Sequence, residues 1–278
     1  QAQNARIHGG ALMSTAFLWQ NALATAWVGD RGTAALPALS LANLSDPQPR
    51  VRTRWPGGAG VSVWFDMGAS AEIACVALIS TTLGSAGGTT LVRARLSDDP
   101  LFATAAWDTG VLDPATDAYA NGNVVLVHPT SASGRFLLVE MEDAAAGLID
   151  VGRIVAGPLW RCTHSWSLGR QQGRMILDRR DRNPYTGVEF PVRAVANPRQ
   201  ASFTLGTVRL AEETEWRGML NSISAAGDVL WIPDDGLSLA ELNQQCIWGA
   251  PVQPGESALL QRAGFLHHTR SFTLTERV

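Results

Sequence analysis

The residues able to carry chemistry are few, and their spacing excludes most reactions. Five histidines occur, His8, His128, His164, His267 and His268, and none stands in the HExxH or HxH spacing that gathers a metal ion. The adjacent His267 and His268 would point to opposite faces of a strand, so they read as polar surface positions. No GxSxG, GxGxxG or GxxxxGK[ST] phrase is present, so nucleophile-elbow, dinucleotide and phosphate-loop readings lack their signatures. All 22 basic residues are arginine, which excludes a Schiff-base lysine and a Ser–Lys pair. Asp98-Asp99 and Asp234-Asp235 sit beside Pro or Gly, where turn chemistry accounts for them. No catalytic residue, metal site or cofactor is expected. Only a carboxylate pair assembled by the fold would make the chain a glycan hydrolase.

Arginine and tryptophan are the residues in excess. A GC-rich genome accounts for arginine alone. The functional account is a surface built for bidentate contacts to neighbouring subunits. The ten Trp residues outnumber two Tyr; most belong in a β core, and exposed ones suit interfaces or sugar faces. Cys75, Cys162 and Cys246 are far apart and odd in number, so buried free thiols are expected in place of a disulfide framework. A net charge of −3 argues against nucleic acid. No apolar run is long enough for a membrane helix. The first residue is Gln, which is compatible with a removed leader.

The elements that must position these residues are mostly strands. With 46% hydrophobic and 17% charged residues, 278 residues suffice for two folded domains. Strand patterns run over 61–68, 73–81, 89–97, 123–129 and 135–142, each bounded by Gly, Pro, Asp or Ser. The apolar segment 15–26 lacks a clear helix cap, and LIDVGRIVAG (148–157) reads as a closing strand. Beyond Trp160 the texture changes. Residues 161–185 carry Arg170, Arg174, Arg179, Arg180 and Arg182 in a stretch that reads as a solvated arm or hairpin, or as an arm contacting another subunit. Strands are expected at 201–210, 227–234 and 269–277, and helices over 211–227 and 237–249. The second half thus reads as α+β.

The phrases LANLSD (41–46), VWFDMG (63–68), VRARLSDD (92–99), WDTGV (107–111), RFLLVEMED (135–143) and LIDVGRIVAG follow one another as in discoidin-like (galactose-binding-like) domains. The chain resembles that family over about residues 15–158. The resemblance implies a mainly β fold: a jelly-roll β-sandwich over 1–158, then a smaller β-rich α+β domain over 159–278. It also implies ligand binding at loop tips and allows a structural calcium ion. On the loop 40–58, Arg50, Arg52, Arg54 and Trp55 would be the contacts for a sugar or a partner, Trp supplying a flat face and Arg a planar donor fork. The loop 84–88 belongs to the same end.

The second half carries VGRIVAGPLW (151–160), ASFTLG (201–206), EETEWRGMLNSI (212–223), GDVLWIPDDG (227–236) and IWGAP (247–251). These phrases resemble tail-tip proteins, distal tail or baseplate, of tailed bacteriophages and prophages. That resemblance implies a structural virion protein, made in the host bacterial cytoplasm. It would form a symmetric ring of its own copies and contact other tail proteins and receptor-binding components. The alternative is a carbohydrate-binding module recognising a cell-surface glycan.

Overall fold

The computed structural model describes residues 14–277, apart from 58–59, 86, 88, 115–120, 165–169, 193–196, 224–226 and 263–264. In chain order the first half holds β1 (Ala16–Leu18), β2 (Trp27–Asp30), two 3-10 turns (Pro37–Leu39, Leu41–Ser45), β3 (Thr53–Pro56), β4 (Val61–Ile79), β5 (Thr90–Ser97), β6 (Trp107–Asp108), β7 (Val124–Asp143), β8 (Leu148–Val151) and β9 (Arg153–Gly157). The second half holds β10 (Trp160–Arg161), β11 (Gln171–Arg174), β12 (Arg179–Arg182), β13 (Glu189–Val192), β14 (Arg199–Arg209), α1 (Leu210–Ile223), β15 (Val229–Ile232), α2 (Leu239–Gln245), β16 (Ile247–Arg262) and β17 (Phe265–Glu276).

The sandwich is organised by one long antiparallel ribbon. β4 pairs with β7 from Val61↔Met141 to Leu78↔Val124, with register shifts between Asp66 and Ala71 and between Ile73 and Cys75. A register shift changes which residues face inward. Val61, Val63 and Phe65 at one end, and Val76 and Leu78 at the other, therefore enter the same core. The strands expected at 61–68 and 73–81 are one strand, as are those at 123–129 and 135–142, because irregularities and not turns separate them. β2, β5 and β6 extend the first half of the ribbon, and β9 pairs the second. β3 and β8 form a separate pair that places Trp55, Ile149 and Val151 in that core.

LIDVGRIVAG therefore does not close the sandwich as one strand. It divides at Gly152 into β8 and β9, which pair with different strands. A Cβ at Gly152 would stand 2.2 Å from the Pro49 carbonyl oxygen, so this crossing leaves no room for a side chain.

The second half of the ribbon is apolar on both faces. Ile73, Val76 and Leu78 face the sandwich core, while Cys75, Ala77 and Ile79, with Val125 and Val155, face away from it. A seven-stranded sheet in the order β10-β1-β15-β16-β17-β14-β11 covers that second face through Ala16, Leu18, Leu230, Ile232 and Trp248. Its opposite side carries Phe17, Phe203, Trp231 and Phe272 beneath Trp216, Met219 and Ile223 of α1. Segment 15–26 is thus no helix: β1 pairs with β10 and β15 in this sheet. The sandwich is an insertion between β1 and β10, so residues 16–18 belong to the second domain's sheet and not to a 1–158 unit. Cys75, Cys162 and Cys246 are buried free thiols. Burial pushes the thiols of Cys75 and Cys162 well above the usual range.

Polar groups tie the two units together where this interface ends. The buried Glu276 carboxylate accepts hydrogen bonds from the Arg199 guanidinium and backbone N–H, from Asn121 Nδ2 and, at 2.9 Å, from Asn123 Nδ2. Arg199 Nη1 also donates to the Gln244 carbonyl at 2.6 Å. Asn243 accepts from the Val125 N–H at 2.8 Å and donates to the Pro114 carbonyl. Removing one member of such a pair leaves a buried charge uncompensated. Arg199→Met or Glu276→Met alone should cost roughly 3–5 kcal/mol in denaturant unfolding, and the double substitution should cost less than either single one.

Candidate functional site

Among the described residues, the outer face of the first half of the ribbon is not covered by the second domain. Val28, Val63, Phe65 and Val139 point into the core, so alternation turns Trp27 and Gly29 (β2), Trp64 and Asp66 (β4), Phe136 and Glu140 (β7), and Arg93 and Arg95 (β5) outward. Most large aromatics of the chain are buried, but Trp27 is 60% exposed.

Trp27 is held in place despite its exposure. Its ring lies above Gly29, where an added Cβ would meet it at 2.5 Å, and tilts against Trp64 with centroids 4.8 Å apart. Trp64 in turn contacts Phe136 at 6.1 Å, and the Arg135 guanidinium lies 4.9 Å from the Phe136 centroid. Arg135 then grips Asp66 with two hydrogen bonds of 2.7 Å, and Asp66 is the strand partner of Trp27. The result is a closed circuit of contacts around a flat apolar ring. The Arg135 fork, seconded by the Gly68 N–H, holds the Asp66 carboxyl below its ordinary range. Farther along, Arg93 forms a second fork with Asp108, whose carboxyl is lowered chiefly by it. Arg31 and Arg95 lie 5.8 and 5.6 Å from the centroid of Phe102.

These carboxyl groups shift in one direction. Asp66, Asp99, Asp108 and Glu241 are all held down by hydrogen bonds. A general acid requires the opposite shift. Asp99 is a turn carboxylate accepting from the Leu101 and Ala103 N–H groups, and Asp234 accepts from Gly236 N–H, as their neighbouring Pro and Gly imply.

The loop named from the sequence is placed differently. Trp55 is 0% exposed and its Nε1 donates to Asp30 at 2.8 Å, so its ring presents no face to a ligand. Arg54 makes bidentate bonds of 2.6 and 2.8 Å to Asp150, and Arg52 stands 3.7 Å from the same carboxylate while donating to Ser80. These two arginines come together on Asp150 and pin β3 to β8; Arg50 is exposed nearby. The 84–88 loop falls partly outside the described residues.

Among the arm residues, Arg170 donates to Gln245 and lies over Trp231, and Arg174 donates to Asn121, so both are bound within the chain. Arg180 faces Glu189 at 3.5 Å across the β12–β13 hairpin, and Arg182 lies near Gly187. Arg179 pairs with Val192 through its backbone, and its side chain lies outside the described residues, as do those of His267 and His268.

Sequence reasoning did not single out Trp27. The signal is Trp-x-Gly on a strand, where the glycine leaves space for the ring on the same face.

No protein-family model and no curated protein matches this chain. Solved structures similar to about half of it include a CBM32 module of a family 31 glycoside hydrolase from Clostridium perfringens (9% identity, 50% of this chain and 99% of that one, TM-score 0.41). A chitosan-binding module of a chitosanase/glucanase from Paenibacillus sp. IK-5 is similar at 11% identity over 50% and 99%, with TM-score 0.39. A fucose-binding module from Streptococcus pneumoniae is similar at 7% identity over 50% and 98%, with TM-score 0.38.

The Asp66–Arg135 fork stabilises the ionised carboxylate, so its contribution is present above the ordinary aspartate value of 3.8 and fades as pH falls through the lower folded value. Carboxyl-carbon NMR should show Asp66 titrating below 3.8, and Arg135→Gln should move it upward.

Proposed function

We propose that this chain is a non-catalytic glycan-binding protein whose ligand lies on the outer face of the sandwich. The exposed, braced ring of Trp27 carries the reading. A pyranose offers an apolar C–H face that stacks on an indole, and its hydroxyl groups suit the donors and acceptors of the adjacent Asp66–Arg135 fork. Holding the ring over Gly29 before a ligand arrives lowers the ordering cost of binding. In titration calorimetry against bacterial surface glycans, Trp27→Ala should lower affinity at least about tenfold without unfolding the chain, as expected for an aromatic anchor. Equal binding by Trp27→Ala, or heat from no glycan tested, would remove the proposal.

A second reading concerns assembly, and the hairpin favours it. Between Met175 and Phe190 the chain exposes Met175, Ile176, Leu177, Tyr185, Val188 and Phe190, with Ile176 74% and Tyr185 94% accessible. The paired strands β12 and β13 belong to a two-stranded sheet of their own. A lone hairpin is marginal in water, and apolar surface of this kind marks contact sites. We read it as the contact by which copies of the chain join one another and neighbouring proteins, as in a phage tail tip. Glycan recognition and a ring-shaped virion component are compatible roles. Sedimentation should show wild-type self-association that Ile176→Asp with Phe190→Asp abolishes, and immunogold labelling should place the chain at the tail tip of released particles.

A further inference from the structure

The boundary between the two domains holds a cleft of about 410 Å³. Trp107, Leu126 and His128 line it from the sandwich, and Leu237, Leu239 and Leu242 line it from the second domain. Its volume is that of a small-molecule site, and domain boundaries are where such sites concentrate.

The polar groups around the cleft are nearly all committed. Asp108 is held by Arg93, and Thr109 Oγ1 accepts from Ala94 N–H and donates to the Gly110 carbonyl. The His128 carbonyl accepts from Arg161, whose Nε is bound to Asp235. The His128 ring, edge-on to Trp107 at 5.2 Å, differs. Its Nδ1 accepts from the Thr130 N–H at 3.2 Å, so in the neutral ring the proton sits on Nε2. With Asp108 and Thr109 already bonded, the His128 Nε2–H is the side-chain donor that the described bonds leave available in a lining that also presents Trp107, Leu112, Leu237, Leu239 and Leu242.

We propose that this cleft binds a small uncharged ligand with an apolar ring or branched body and a single hydrogen-bond acceptor, placed against His128 Nε2–H. A charged ligand would lose its hydration without gaining a partner. The site is separate from the Trp27 face and does not depend on the glycan reading.

The probe is prodan, a neutral naphthalene carrying one ketone, with 2-(dimethylamino)naphthalene as its acceptor-free counterpart. The 278-residue chain should bind prodan at one site with a blue-shifted emission, and more tightly than the counterpart. Leu239→Trp, which fills the cleft, should weaken prodan binding at least tenfold. His128→Phe, which keeps the ring contact, should reduce prodan to the affinity of the counterpart. Leu237→Trp fills the same space should Leu239→Trp fail to fold by circular dichroism. Prodan binding unchanged by the filling substitution, or lost in Ile176→Asp with Phe190→Asp, would place the dye elsewhere and overturn the proposal.

Discussion

A strand that is apolar on both faces must be covered on both. The stretch Ile73–Ile79 meets that condition, with Ile73, Val76 and Leu78 on one side and Cys75, Ala77 and Ile79 on the other. An isolated sandwich needs only its inner face covered and can leave the outer one to water. Here the outer face of this half would expose a contiguous patch with Val125 and Val155, and the seven-stranded sheet covers it. The insertion of the sandwich between β1 and β10 follows the same need, because the chain enters and leaves through the sheet that covers it. The Arg199–Glu276 pair and its asparagine partners then join the two units with directional bonds, which orient an interface that apolar contact alone would leave free to slide.

The contrast between the two ends of the ribbon has a functional consequence. One end is buried from both sides; at the other, Phe102 covers Phe136 and Leu138 on the outer face, and Trp27 stays exposed beside them. This outer face carries Trp27, Trp64 and the Asp66–Arg135 fork on strands whose inward residues are fixed in the core. A side chain on such a strand has little freedom beyond its own torsions, so an exposed ring can be preorganised without being buried. The register shift after Asp66 belongs to the same device, since it places Arg135 beside its carboxylate and leaves Gly68 with a positive φ of 78° to make the bend.

How much of this could be read from the chain follows from what each interaction depends on. Alternation over 89–97 and 201–210, and acids followed by Gly227 around the 211–227 segment, depend on near neighbours, and β5, β14 and α1 lie close to the expected bounds. β1 was not legible because three residues in a sheet whose other strands lie more than 140 positions away leave no local periodicity. Trp55 and Trp27 exchange the roles that sequence would assign. Trp55 stands among arginines in a loop-like phrase, yet β3–β8 pairing turns it inward onto Asp30. Trp27 follows an apolar, alanine-rich segment that suggests burial, yet the parity of β2 turns it outward. Which face of a strand meets solvent depends on its partners, and those partners are long-range.

The hairpin is the place where local and global order disagree, and the disagreement is informative. The buried strands are covered by another element of the chain, whereas β12 and β13 expose Phe190 and their neighbours expose Ile176 and Tyr185. Their arginines divide accordingly. Arg170 and Arg174, before the hairpin, are bound to Gln245 and Asn121, while Arg180 faces an exposed Glu189 across it. A surface ion pair of that kind contributes at most about 1 kcal/mol, too little to hold a two-stranded sheet against solvent. Among the described residues the hairpin leaves its apolar side chains exposed, whereas the strands of the two cores have theirs covered. A surface brought in from outside would cover these side chains, which is the physical basis of the assembly reading proposed above.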